Sequence, residues 1–288
     1  MLTVTEIVRF DGAEGIELLG DRRGTGERGT VLFAHGAGQT RHAWAGAATR
    51  LAGQGWRAIS VDLRGHGDSG WPADGNYRLS AFAADLARVA QTVAENGGRP
   101  HLVGASLGGL AGLMVETHLE PGVFASLTLV DIVPQMDPGG VERIMAFMTQ
   151  NAHDGFASVE QASAVISAYL PHRPKPRDLS GLSKNLRLGV DGRYRWHWDP
   201  RFVASVRETR EEHNLEEFER RLAGLTLPLH LVRGRMSELV PEDAVRSFLS
   251  AAPSAHFSDI ADAGHMVAGD RNDVFCDAVA AFLSRLGG

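Results

Sequence analysis

Gly104-Ala105-Ser106-Leu107-Gly108 places a serine between two glycines, directly after the apolar run at residues 101–103 and ahead of a helical pattern that starts at Gly109. A chain that turns from strand to helix so abruptly leaves no room for side chains beside the turn, and the serine is forced up above the sheet. Such a serine, given a base, is a nucleophile for acyl transfer. The helix that follows directs its positive end, and the Leu107 N–H, at the negative charge such a reaction develops.

A serine nucleophile needs three more things: a base, a carboxylate to orient the base, and a second N–H for the oxyanion. His265, in Ala263-Gly264-His265-Met266, follows the last strand-like segment and is the expected base. A base must come from a loop at the C-terminal edge of the sheet to meet the serine. Glu238 follows the apolar run at 227–232 through Arg233-Gly-Arg-Met-Ser237. It is the expected acid, in the chain order Ser, acid, His. Asp131, ending the run at 127–130, is the alternative, since either carboxylate could fix the imidazole tautomer. His35-Gly36-Ala37-Gly38 ends another apolar run, Thr30–Ala34. Its glycines permit close backbone approach, which makes Ala37 N–H the expected partner of Leu107 N–H, with His35 structural.

The elements that must carry these residues are legible as a pattern. Two alternating segments, 3–10 and 14–20, flank Asp11-Gly12, a hairpin turn signal. Short β-branched runs follow at 30–34, 58–61, 101–103, 127–130 and 227–232, with a weaker one at 255–260. Helical periodicity lies between them, as at 79–95 and 109–119. Alternation of this kind predicts an α/β fold with a mostly parallel sheet covered by helices. It breaks once: from about 134 to 225 no comparable strand run occurs, and helical patterns appear at 141–151, 159–169 and 215–222, with a Pro-rich break at 171–176. The expected organisation is therefore a core of 1–133 and 225–288, with a helical cap at 134–224.

Composition limits the partners. The 288 residues are 43% hydrophobic and 22% charged, with a net charge of -6. Lysine occurs only at 175 and 184, and no basic tract exists. Nothing invites nucleic acid or an anionic membrane. No run approaches the roughly 20 apolar residues of a membrane span. Cys276 is the single cysteine, so an intrachain disulfide and a Cys-based zinc site are excluded. The expected setting is cytoplasmic and the expected partner a small-molecule substrate, with a homo-oligomer left open. Two motifs mislead. Gly24-Thr-Gly-Glu-Arg-Gly29 precedes a strand rather than following one, so it is no dinucleotide loop. Trp196-His197-Trp198-Asp199 offers one histidine without a spaced partner, which reads as structural or pocket-lining.

His35-Gly-Ala-Gly38, Asp62-Leu-Arg-Gly-His-Gly-Asp-Ser69, Gly104-Ala-Ser-Leu-Gly-Gly109, Leu231-Val-Arg-Gly234 with Ser237-Glu238, and Gly264-His265 together resemble the α/β-hydrolase superfamily. Within it the chain is similar to the branch of cofactor-free haloperoxidases and carboxylesterases. The resemblance implies an eight-stranded, mostly parallel sheet with a helical lid after the sixth strand, and neither metal nor organic cofactor. The acid after the later strand is usually Asp in that family, whereas this chain has Glu238. Family epoxide hydrolases and haloalkane dehalogenases carry Asp where this chain has Ser106, and the C–C hydrolases commonly carry Asn where it has Ala105.

The reading that follows is ester hydrolysis through an acyl-enzyme on Ser106. The alternatives are C–C cleavage or perhydrolysis by the same residues, or a receptor that retains them with little turnover. Expected substrate-binding residues are His42 and Trp44 near the oxyanion loop, and Met136, Met145, Phe147, Met148, Trp196 and Trp198 in the cap. Flexible Met and flat aromatic side chains suit an apolar acyl or aromatic substrate.

Overall fold

The computed structural model describes residues 4–150, 152–170, 178–209 and 215–286. Two antiparallel strands open the chain, β1 (Glu6–Asp11) and β2 (Glu17–Arg23). They form the hairpin expected around Asp11-Gly12, closed by a short 3₁₀ turn, Ala13–Gly15. The strands β3 (Thr30–Ala34), β4 (Arg57–Val61), β5 (His101–Ala105), β6 (Ser126–Val130), β9 (Leu229–Gly234) and β10 (His256–Ile260) run parallel. The eight strands form one sheet in the order β1-β2-β4-β3-β5-β6-β9-β10.

The central strands show why this sheet needs cover on both faces. All five residues of β3 and of β6 are buried, and so are all six of β9. Strands without an alternating polar face are stable only between two layers of helix. One layer contains α1 (Ala45–Ala52) and the C-terminal helix, Asn272–Leu286, packed over Val31, Phe33, Val103 and Val232. The other contains α2 (Leu79–Ala94) and α3 (Leu107–Met114), packed over Leu32, Leu102, Leu127 and Leu229. Alternate residues of one strand thus serve opposite cores, as the two-residue period requires. A further helix, α9 (Glu242–Ala251), links β9 to β10.

Between β6 and β9 the chain forms α4 (Pro138–Thr149), α5 (Val159–Tyr169), α6 (Ser180–Ser183), a small two-stranded ribbon, α7 (Arg201–Thr209) and α8 (Leu215–Leu222). The ribbon, β7 (Leu186–Leu188) with β8 (Tyr194–Trp196), departs from the expectation of helices alone. Each strand has only three residues, too few to show a period of two, and Gly192 at φ 75° turns the chain between them. The Pro-rich break at 171–176 lies outside the described residues. Among those residues no helix is long and apolar enough to cross a membrane.

Candidate active site

Parallel register gathers the candidate residues at one edge. Ala105 is paired with Val130, and Val130 with Val232, so Ser106 and Asp131 leave adjacent strands at the same level. Ser106 N–H donates to the Val130 carbonyl at 3.2 Å, and Asp131 N–H to that of Val232 at 2.7 Å. Both residues then take positive φ, 45° for Ser106 and 50° for Asp131, a region L-residues enter at a cost. The elbow is held by close packing. A β-carbon at Gly104 would stand 2.6 Å from Gly109 N, and one at Gly108 2.5 Å from the Ala34 carbonyl oxygen. Glycine at both positions is therefore a steric requirement of the turn.

Asp131 is fully buried and accepts three hydrogen bonds. Gly234 N–H donates to Oδ1 at 2.9 Å, while Ser237 Oγ–H at 2.5 Å and His265 Nδ1–H at 2.8 Å donate to Oδ2. Donation from Nδ1 to a carboxylate fixes the neutral imidazole as the tautomer with its lone pair on Nε2, the form able to accept a serine proton. The loops after β9 and β10 are tied together, Arg235 N–H to Ile260 O and Met236 N–H to Ala263 O, each at 2.9 Å. That tie carries His265 over Asp131.

The preference for Glu238 as the partner of His265 is corrected by this arrangement. Its carboxylate points outward, 68% exposed, and accepts from Arg143 Nε of α4 at 2.6 Å. The loop after β9 supplies donors, Gly234 and Ser237, to an acid that stands one strand earlier. Glutamate in place of aspartate was the sequence's signal. The other was Asp131 itself, placed at the first position beyond a fully apolar strand.

His35-Gly36-Ala37-Gly38 lies against the elbow, with the Gly36 α-carbon close enough that a β-carbon would be 3.3 Å from Ser106 Cβ. Gln39 N–H donates to Gly36 O at 3.1 Å and Gly38 has φ 73°, the pattern of a type II turn with Ala37 and Gly38 at its centre. Gly36 N–H is taken by Gln39 Oε1 at 3.0 Å and Gly38 N–H by His66 Nε2 at 3.2 Å. Ala37 N–H and Leu107 N–H have no acceptor among the described residues. Two unengaged backbone donors beside a strained serine can stabilise an oxyanion. Gln39, which sequence reasoning missed, also donates from Nε2 to Met266 Sδ at 3.1 Å, joining this loop to that of His265.

The expected substrate-binding residues divide. Trp44 is a correction: it is 1% exposed in the core, packed on Phe33 (ring centroids 5.1 Å apart) and Phe275 (5.8 Å), and has no surface for a ligand. His42 is half-buried with Nδ1 3.8 Å from the Asp21 carboxylate, and burial lowers its pKa. Met136 packs half-buried against the main core and Met145 is buried in it. Met148 and Trp198 cover the oxyanion loop, since a β-carbon on Gly38 would lie 3.1 Å from Met148 Cε and 3.2 Å from the Trp198 ring. Trp198 stacks on Trp196 at 4.9 Å, Trp196 meets Phe147 at 6.0 Å, and Phe147 stacks on Tyr169 at 4.2 Å. This aromatic row leads from the chain's outer surface to Gly38. His35 has no exposed surface, and burial lowers its pKa to about 4. Cys276 is buried too, which pushes its thiol up to about 11.

A parallel sheet with a strained serine elbow and a histidine–aspartate pair at its C-terminal edge defines an α/β-hydrolase arrangement. Residues 31–278 match the alpha/beta hydrolase family, and the chain belongs to it. It is an enzyme of that family. The chain is 28% identical to an esterase of Mycobacterium tuberculosis over 260 residues, covering 88% of this chain and 82% of that protein. It is 26% identical over 246 residues to a 3-hydroxybutyrate-oligomer hydrolase of Cupriavidus necator, covering 82% of each. Among solved structures it superposes on E-2-(acetamidomethylene)succinate hydrolase with a TM-score of 0.84 over 98% of this chain and 99% of that one, at 23% identity. That last likeness is one of fold.

Proposed function

We propose that the protein hydrolyses carboxylic esters with an apolar or aromatic acyl part through an acyl-enzyme on Ser106. The observation that carries the reading is the 2.8 Å bond from His265 Nδ1 to Asp131, beside the strained elbow. Neutral His265 takes the Ser106 proton at Nε2 as Oγ attacks the ester carbonyl. Buried Asp131 stabilises the imidazolium that results. Ala37 N–H and Leu107 N–H receive the oxyanion. Collapse expels the alcohol with the proton from His265, and water then cleaves the acyl-enzyme by the same route. The esterase relative supports the choice of substrate class, and the aromatic row ending at Gly38 supports the apolar acyl part.

The test is pre-steady-state hydrolysis of a p-nitrophenyl ester. Wild type should release one equivalent of p-nitrophenolate in a burst when deacylation limits turnover, and Ser106→Ala should lose about 10⁴- to 10⁶-fold in kcat. Full activity in Ser106→Ala would remove the reading.

A further inference from the structure

Three histidine rings stand in a column behind the oxyanion loop. His35 and His66 are 5.2 Å apart and His66 and His197 5.9 Å, centroid to centroid. They come from three distant places: the end of β3, the loop after β4, and the segment just beyond the ribbon strand β8. Each ring makes the same pair of bonds, one nitrogen accepting a backbone N–H and the other facing a backbone carbonyl. His35 Nε2 accepts from Leu63 N–H (3.0 Å) and Nδ1 donates to Gly36 O (2.8 Å). His66 Nε2 accepts from Gly38 N–H (3.2 Å) and Nδ1 donates to Arg64 O (2.9 Å). His197 Nδ1 accepts from Gly67 N–H (2.8 Å) and Nε2 donates to Gly38 O (3.3 Å).

Gly38 is thus held on both sides. Its N–H enters His66 and its C=O receives His197, so the two peptides flanking it are fixed in direction. Gly38 supplies the positive-φ position of the turn that presents Ala37 N–H. A turn closed by one backbone bond can rock, and rotation at Gly38 would swing the preceding peptides away from the elbow. The ring that prevents this from the outer side belongs to the segment between β6 and β9. That segment is anchored to the loop after β4, which carries His66, by Asp199 N–H on Gly65 O (2.9 Å) and by Arg187 on Gly67 O.

We propose that His197 is a positioning residue: through Gly38 it holds Ala37 N–H in line for the oxyanion, and so ties the inserted segment to the chemistry. The inference rests on the acyl-transfer reading above. An acceptor-and-donor pattern of this kind is satisfied only by neutral imidazole, and burial keeps His197 and His66 in that form. Arg187 and the neighbouring rings His66 and His35 act in the same direction on His197.

The experiment compares His197→Phe, His197→Asn and His197→Gln. Phenylalanine fills the space without either bond. Asparagine keeps an acceptor for Gly67 N–H but is too short to reach Gly38 O as well. Glutamine carries donor and acceptor on one amide at the reach of the ring. His197→Phe and His197→Asn should lower kcat for p-nitrophenyl acetate by roughly 10- to 100-fold with KM within about twofold, the mark of an interaction used in the transition state. Affinity for a trifluoromethyl ketone, whose serine adduct carries the oxyanion, should fall by the same factor, and His197→Gln should recover most of both. A residue that only supported the fold would not move the ketone affinity and kcat together at constant KM. Should the Phe variant not fold, the Asn and Gln variants carry the test alone, and equal kcat in those two overturns the inference. Fluorophosphonate labelling of wild type separates the layers. Labelling at Ser106 with equal rates in the variants sinks the inference alone, whereas absence of labelling sinks the acyl-transfer reading and the inference with it.

Discussion

Asp131 accepts three hydrogen bonds at a backbone angle of φ 50°, two from the end of β9 and the loop after it and one from the loop after β10. Ser237 is the donor most open to test. Its hydroxyl donates to the carboxylate oxygen that also meets His265 and receives Leu239 N–H at 3.1 Å. A hydrogen bond to a buried charge contributes about 1.5–3 kcal/mol. Ser237→Ala should therefore lower kcat by roughly tenfold, through a mispositioned carboxylate, and thermal denaturation should show a parallel loss of stability. Unchanged kinetics in a destabilised variant would make Ser237 a structural residue only. At this scale the sequence yielded the serine, the histidine and the oxyanion turn as candidates, because each sits in a motif with a mechanical reason for its glycines. It misplaced the acid because chain order allows both carboxylates, and only the direction of a side chain separates them. Glu238 leaves the edge toward Arg143, a partner 95 residues away that no local pattern announces.

Elements were legible where burial was complete. The runs at 30–34, 101–103 and 127–130 lie within β3, β5 and β6, since an unbroken apolar run flanked by glycine, aspartate or proline is what a central parallel strand must be. Boundaries were less secure. The run at 227–232 foretold β9, which begins two residues later and continues through Arg233 to Gly234, buried although one of them is charged. The Asp259 carboxylate lies 3.9 Å from Arg233 and explains how a guanidinium ends a core strand. The ribbon β7–β8 was not legible, being too short for a period. Its consequence is large: it delivers His197 and Trp198 to Gly38, from a motif whose single histidine reads in the sequence as structural or pocket-lining.

Four histidines buried in the fold share one electrostatic state. His35, His66 and His230 have no exposed surface, and burial lowers their pKa to about 4, about 3 and about 3. His197 is 2% exposed and lowered well below the ordinary value by the same cause. In the unfolded chain each would bind a proton near pH 6.5. The unfolded state therefore takes up protons first as pH falls. Stability contributed by these groups is complete above about pH 6.5 and is lost as pH falls, down to about pH 4 for His35 and about pH 3 for His66 and His230, at about 1.4 kcal/mol per pH unit for each. His35, His66 and His230 together amount to about 6 kcal/mol by pH 5, comparable with the 5–15 kcal/mol that holds a typical domain together, and His197 acts in the same direction. Urea midpoints measured from pH 8 to pH 4.5 should fall steeply below 6.5. A flat profile from pH 7 to pH 5 would mean the rings are solvated or already charged in the fold.

Ser106, His265 and Asp131 are proposed to act as one unit, with Glu238 outside it. The most direct measurement is kcat for p-nitrophenyl acetate in Asp131→Asn beside Glu238→Gln, each checked for native circular dichroism. Asparagine can offer His265 a hydrogen bond but not a charge, and its amide admits the wrong tautomer, so Asp131→Asn should lose about 10³- to 10⁴-fold in kcat. Glu238→Gln breaks only an exposed ion pair, which contributes about 0–1 kcal/mol, and should stay within about threefold of wild type. An inactive Glu238→Gln together with an active Asp131→Asn would move the catalytic acid from Asp131 to Glu238.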